Sequence, residues 1–279
     1  MEKIGFYKVG LPIYFNSDDH RSWSAECRSL LNILSNNFDV YIMSDTNYEG
    51  IRFHMWAGER LDRVYVMNGP GEIPDFECDD VRLIVTDLAL YPEDTSRFTH
   101  VYTQSRQLGE YAYIETAPLY HANTTAEYPK TEEFYFGGTE RNRTKDFFEY
   151  VWRPGHLWHG KSKTMNVRDD IPFDEHLKVL QSAKYTIVIG DEAYNHIGFV
   201  TPRYYECLIQ GVIPFVDDKF DPDGLIPIPK ELRVKSYVEM VKKMQMWTEE
   251  DRLEILAKAK SLLPKKASTG NYILNVLSK

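Results

Sequence analysis

The chain has 279 residues, 43% of them apolar and 27% charged, with a formal net charge of −9; this is an ordinary globular composition, long enough for two modest domains or one large one. The acidic balance argues against a protein that coats nucleic acid, although it leaves room for a local basic cleft. No apolar run approaches the roughly 20 residues that span a bilayer, and the 3 cysteines, Cys27, Cys78 and Cys207, are scattered, which points to a reducing compartment and not to a disulfide framework or a zinc site.

In chain order, KIGFYKVG (3–10) is a short apolar strand that ends in Gly10. Asp18 or Asp19 can cap the helix that follows, which carries Trp23, Cys27, Leu30, Leu31 and Leu34 at helical spacing. FDVYIMS (38–44) and DRVYVMNG (62–69) are the next strands, the second running into a Gly-Pro-Gly reversal. VRLIVTDLALYP (81–92) begins as a strand and opens into a loop at Asp87; HVYTQS (100–105) is a fifth strand. Residues 120–130 hold little apolar content and read as a linker. The pattern then restarts: EFYFGGTERNRTKDFFEYV (133–151) is strand, glycine turn and helix, DEHLKVLQSAKY (174–185) is an amphipathic helix, TIVIGD is a strand, TPRYYECLIQG is a helix closed by Gly211, and VIPFVDD is a strand. Two further helices follow, the second opening with TEED, an N-cap with an acidic first turn. Apolar strands separated by helices predict an α/β protein with parallel sheets covered on both faces. Two Rossmann-like domains are expected, 1–125 and 126–267, with a cleft between them. The N-terminal stretch has no signal-peptide layout, so a cytoplasmic protein is expected; a monomer is expected as well.

Ligands of open α/β sheets bind beyond the carboxyl ends of the strands, and three stretches fall there. The first is FGGTERNR. Two glycines after a strand let a backbone approach a ligand closely, and a helix N-terminus offers N–H groups to an anion. Arg141 and Arg143 suit bidentate phosphate contact. Gly137, Gly138 and Thr139 form the turn, which matches neither the Walker A pattern nor GxGxxG; a lone Gly-Gly pair is more often only a turn. In the second, Arg203 and Glu206 stand three residues apart at a helix start, on one face. They form either a surface ion pair worth under about 1 kcal/mol or a nucleotide clamp, with Arg on pyrophosphate and Glu accepting both ribose hydroxyls. The third holds Asp87, which is either a turn cap or a general base toward a hydroxyl.

Together these stretches resemble the DNA β-glucosyltransferases of T-even bacteriophages, which are two-Rossmann-domain (GT-B) glycosyltransferases. IGDEAYNHIGFVTPRYYE is similar to the family's IGD-x-x-YN…FIT-x-R-x-x-E segment, YFGGTERNR to its YGGS-x-R phosphate loop, and VTDLALYP to its FTD-x-x-LP catalytic loop. The resemblance covers roughly residues 3–221 and implies an inverting enzyme with a UDP-sugar donor. It implies that Asp87 is the catalytic base. On the donor side it places Gly137, Gly138, Thr139, Arg141, Asp191, Tyr194, Arg203 and Glu206, with Arg143 as a second loop arginine if this loop is shorter than the family's. Gly10, Asp19, His20 and Arg21, at the end of the first strand and in the loop after it, are the acceptor-side candidates. The family also implies a terminal helix, 268–279, packed on the N-terminal domain through Tyr272, Ile273, Val276 and Leu277.

The acceptor implied by the resemblance is 5-hydroxymethylcytosine in double-stranded phage DNA, which would have to be flipped from the duplex. The alternatives are a glycosyltransferase acting on a small molecule, glycan or protein, and a nucleotide-sugar-binding module without turnover. The chain departs from the family in being shorter, in its acidic charge, and in WRPGHLWHGKSKTMNVR (152–168). That segment lacks Asp and Glu and interleaves Trp152, Trp158, His156 and His159 with Arg153, Lys161, Lys163 and Arg168. It reads as a nucleic-acid-holding surface or as a loop with its tryptophans docked. A divalent ion, Mg or Mn, could assist the leaving diphosphate, but no carboxylate cage for a metal and no tightly bound cofactor is evident.

Overall fold

The computed structural model describes residues 1–8, 22–43, 52–67, 72–85, 87–88, 91–105, 107–108, 110–111, 128–201, 203–262, 274–275 and 277. The chain divides into two compact units, Met1–Tyr120 together with Lys266–Lys279, and His121–Lys265.

In the first unit, β1 (Lys3–Lys8), β2 (Asp39–Ile42), β3 (His54–Met55), β4 (Arg63–Met67), β5 (Val81–Val85), β6 (His100–Thr103) and β7 (Glu110–Tyr111) pair in parallel in the order β3-β2-β1-β4-β5-β6-β7. The central strands are mainly apolar because both faces are covered; β5, VRLIV, is buried at every position, Arg82 included. Helix α1 (Ser22–Ser35) lays Cys27, Leu30, Leu31 and Leu34 against Ile4, Phe6, Val40 and Ile42. Each such side chain contributes about 1.5–3 kcal/mol on burial.

The predicted alternation of strand and helix holds less well here. Among the described residues of this unit, the crossovers from β2 to β5 contain no helix. Leu277, from the far end of the chain, is fully buried in this core. Its carbonyl accepts hydrogen bonds from Tyr65 Oη (2.5 Å), Arg82 (2.5 Å) and Arg63 (3.0 Å), and Asp80 neutralises both arginines. Tyr272, Ile273 and Val276 lie outside the described residues.

In the second unit, β8 (Glu132–Gly137), β9 (Leu157–Ser162), β10 (Val167–Asp169), β11 (Ala183–Val188), β12 (Ile213–Asp217) and β13 (Arg233–Val234) form a sheet in the order β10-β9-β8-β11-β12-β13, parallel except for the β9–β10 hairpin. Counted from its own first strand, this is the order 3-2-1-4-5-6, which the first six strands of the other sheet also follow. Each sheet therefore has a switch point, between β8 and β11 here, where connections leave in opposite directions and open a crevice for a ligand.

Helices α2 (Thr144–Asp146), α3 (Phe173–Ser182), α4 (Glu192–His196), α5 (Arg203–Ile209), α6 (Tyr237–Met246) and α7 (Glu249–Ser261) complete the unit. The predicted cap of α7 is a full capping box, Thr248 with Asp251. Gly211 ends α5 in the left-handed region at φ 74°, the conformation that favours glycine after a helix. The helix predicted to run to residue 185 stops at Ser182, because Ala183 and Tyr185 already pair with Glu132 and Phe134 of β8.

Candidate functional site

Two loops leave the switch point of the second sheet, one after β8 and one after β11. The β8 loop rides on β9: Gly138 N donates to His159 O (2.9 Å) and Glu140 N to Lys161 O (2.8 Å). Its glycines serve this packing. A Cβ on Gly160 would stand 1.9 Å from the Gly138 carbonyl oxygen, and Trp158 Nε1 donates to that same oxygen at 2.8 Å. A Cβ on Gly137 would stand 2.3 Å from the imidazole of His176. The room expected for a ligand at Gly137 is thus filled by a side chain of α3. Gly137→Ala should force that ring aside and cost about 1–3 kcal/mol of stability, as overpacking does. Chemical denaturation checks this; an unchanged midpoint would mean the ring has another place to go.

Two charged side chains hold the loop in shape. Glu140 is buried and accepts hydrogen bonds from Ser162 Oγ, from Thr164 through its N–H and its hydroxyl, and from Thr144 Oγ1. Burial alone would raise its pKa; these hydrogen bonds outweigh that and bring it down to about 2. Arg143 donates to Thr139 O (3.0 and 2.7 Å) and, through Nη1, to Ile189 O (2.7 Å), so it ties the two loops together. Burial, and then the like charges of Arg203 and Arg141, push its pKa down to about 9. Three guanidinium groups close enough to repel one another are an arrangement that favours an anion. Arg141 itself is exposed and sits at φ 45°, a left-handed backbone that costs a non-glycine residue about 1–2 kcal/mol.

The β11 loop brings Arg203 and Glu206 to the same place. Asp191 is buried and caps α4, its Oδ1 accepting from Ala193 N at 3.1 Å. Tyr194 is buried edge-on against Phe199, ring centroids 5.2 Å apart. Arg203 Nη1 donates to the Gly137 carbonyl, and its Nε lies 3.4 Å from Glu206 Oε2. Glu206 is 2% exposed, so this is no surface ion pair. His176 Nε2 lies 3.3 Å from the other carboxylate oxygen, and His176 Nδ1 lies 2.8 Å from Tyr135 Oη. Burial would raise the pKa of Glu206, but the charge of Arg203 and the His176 hydrogen bond more than offset it, and the carboxyl is held below its ordinary value.

Sequence reasoning missed His176, Tyr135 and Glu140. His176 lies on the buried side of α3 with Leu177 and Leu180, and a histidine on an apolar helix face was the one local signal available. Within the 152–168 stretch, β9 and β10 form a hairpin, and several of its polar side chains have partners nearby. Lys161 and Arg168 pair with Asp170 (3.3 and 2.7 Å), His159 with Asp169 (3.0 Å), and Arg153 lies over Tyr237. Trp158 is docked, while Trp152 packs edge-on against it and stays 49% exposed.

In the first unit, Asp87 is half-buried and stands two residues beyond the carboxyl end of β5. Gly10, Asp19, His20 and Arg21 lie outside the described residues. Among the described residues, no group of three or more His, Cys, Asp or Glu side chains could hold a metal ion, and no helix is long and apolar enough to cross a membrane.

No protein-family model matches the chain, and no curated protein matches it in sequence. Solved structures match it in fold. T4 phage β-glucosyltransferase bound to its UDP-glucose substrate aligns with a TM-score of 0.75 at 18% identity, covering 98% of each chain. The same phage enzyme with UDP and Mn2+ aligns at 0.72 and 17%, covering 98% of this chain and 99% of that one. An α1,3-fucosyltransferase aligns at 0.57 and 11%, covering all of this chain and 90% of the other. Along its whole length the chain has the fold of these GT-B glycosyltransferases, two Rossmann-like units each built on a mainly parallel sheet.

Proposed function

We propose that the protein is a glycosyltransferase with a UDP-sugar donor. The observation that carries this reading is the buried Glu206 carboxylate, held between Arg203 and His176 beside the arginine-bearing β8 loop at the switch point of the second sheet. A buried carboxylate that keeps its charge suits the two hydroxyls of a ribose. The neighbouring arginines suit a diphosphate. T4 phage β-glucosyltransferase, which shares the fold, binds UDP-glucose.

Arg203 and Arg141 act on the diphosphate in this reading, and Arg143 is the positioning residue that holds the loop. Asp87 is the base. It takes the proton from an acceptor hydroxyl as that oxygen bonds to the anomeric carbon, the bond from that carbon to the diphosphate breaks, and UDP leaves with its new charge met by the arginines. The anomeric centre is inverted. Mn2+ accompanies UDP in the T4 phage enzyme; the described residues supply no dedicated metal cage, and no step here depends on one.

The acceptor in this proposal is the hydroxymethyl group of 5-hydroxymethylcytosine in DNA, as the resemblance to the DNA β-glucosyltransferases of T-even bacteriophages implies. Two observations favour a second reading, a non-DNA acceptor: the net charge of −9, and the pairing of the hairpin's cations with Asp169 and Asp170. Mass spectrometry of hydroxymethylated and unmodified DNA, each incubated with the protein and a panel of UDP-sugars, separates the readings. A sugar adduct on the hydroxymethylated DNA alone supports the first, and release of UDP with other acceptors only supports the second. On the donor side, Glu206→Ala should weaken UDP binding by about 10- to 100-fold, the worth of hydrogen bonds to a charged acceptor. Unchanged affinity in calorimetry would remove Glu206 from the ribose.

A further inference from the structure

The carboxylate of Glu206 is braced through a two-step chain that begins in the strand beside it. Tyr135 is buried in β8, and burial raises its pKa, so it stays a phenol. In the His176 tautomer that carries its proton on Nε2, the Tyr135 O–H donates to Nδ1 at 2.8 Å. An imidazole that accepts at Nδ1 carries its proton on Nε2, and Nε2–H is left to donate to Glu206 Oε1 across 3.3 Å. The opposite carboxylate oxygen faces Arg203 Nε. The ring lies against Gly137, in the space that a Cβ there would fill.

A carboxylate receives two vicinal hydroxyls together at least cost when its plane is set beforehand. A freely rotating one gives up that advantage as ordering entropy on binding. We propose that His176, oriented by Tyr135, is a positioning residue that fixes the plane of Glu206 for a vicinal diol, and that the site thereby selects ribonucleoside over 2′-deoxyribonucleoside diphosphates. This rests on the donor reading above. It adds two residues and a specificity that the donor reading does not need.

The test is calorimetric affinity for UDP and for 2′-deoxyuridine 5′-diphosphate in the intact protein, with Glu206→Gln, His176→Leu, His176→Gln and Tyr135→Phe variants checked for fold by thermal denaturation. The wild type should prefer UDP by about 10- to 100-fold, because the deoxy ligand loses one hydrogen bond to a charged acceptor. His176→Leu should bring that ratio close to one. His176→Gln, whose amide N–H reaches about as far as Nε2–H, should restore most of it, and Tyr135→Phe should fall between. A merely structural role would weaken both nucleotides by the same factor and leave the ratio unchanged.

Three outcomes overturn the inference. If the wild type binds UDP in a Glu206-dependent way while His176→Leu keeps the full ratio, it fails and the donor reading stands. It fails in the same way if His176→Leu lacks the ratio and the folded Gln variant does not recover it. If the wild type binds no UDP, the donor reading itself fails and takes this inference with it.

Discussion

Replacing Asp87 with Asn is expected to lower turnover by about 10²–10⁴-fold, the usual worth of a positioned general base, with UDP affinity little changed. A hydroxyl is a far weaker acid than a carboxyl group, so a carboxylate helps only by taking the proton while the new bond to carbon forms. Asn keeps the size of the side chain and its ability to accept one hydrogen bond, but it has no basicity. The nucleotide should be indifferent, since every side chain assigned to it belongs to the unit His121–Lys265, and Asp87 belongs to the other. Turnover is measured as UDP release with hydroxymethylated DNA, and affinity by calorimetry. The competing candidates are Asp18, Asp19 and His20, in the stretch expected from the sequence to be the loop after β1. Near-normal turnover in the Asn variant, with activity abolished by Asp19→Asn or His20→Ala, would move the base to that loop.

What could be read along the chain was whatever repeats within a few residues. β5 announced itself as VRLIV and is buried throughout. α7 carried its capping box in four consecutive letters, and Arg203 with Glu206 needed only the i, i+3 rule. What could not be read is what closes across long sequence separations. His176 meets Glu206 over thirty positions and Glu140 meets Thr164 over twenty-four; neither residue type, alone in its own helix or loop, states its partner.

The β9–β10 hairpin escaped because its strands are not apolar. In LWHGKS the inward positions are Trp158, Gly160 and Ser162, and two of those three carry no hydrophobic side chain to mark a period of two. The glycine turn was found for a reason that the packing changes. At Gly137 the neighbour that excludes a Cβ is the ring of His176, where an approaching phosphate had been expected.

Glu140→Gln should be among the most destabilising single-atom changes in the second unit, at about 2–4 kcal/mol. The carboxylate accepts from Ser162, from Thr164 twice and from Thr144, with no donor of its own among these contacts. The amide group of Gln would point a donor at groups that are themselves donating, and buried hydroxyl or N–H groups would be left unmatched. Because Glu140 ties the β8 loop to the end of β9 and to the turn of the hairpin, the same change should weaken UDP binding as well as lower the denaturation midpoint. The pH dependence gives a second reading of the same contact. With its folded pKa near 2 and its ordinary value at 4.5, Glu140 contributes stability that is fully present above about pH 4.5 and is lost as pH falls toward 2. The difference in unfolding free energy between wild type and Glu140→Gln should therefore be constant at neutral pH and shrink across that acid window. A difference that is negligible at pH 7, or that does not narrow below pH 4.5, would mean that the loop is held by something other than this carboxylate.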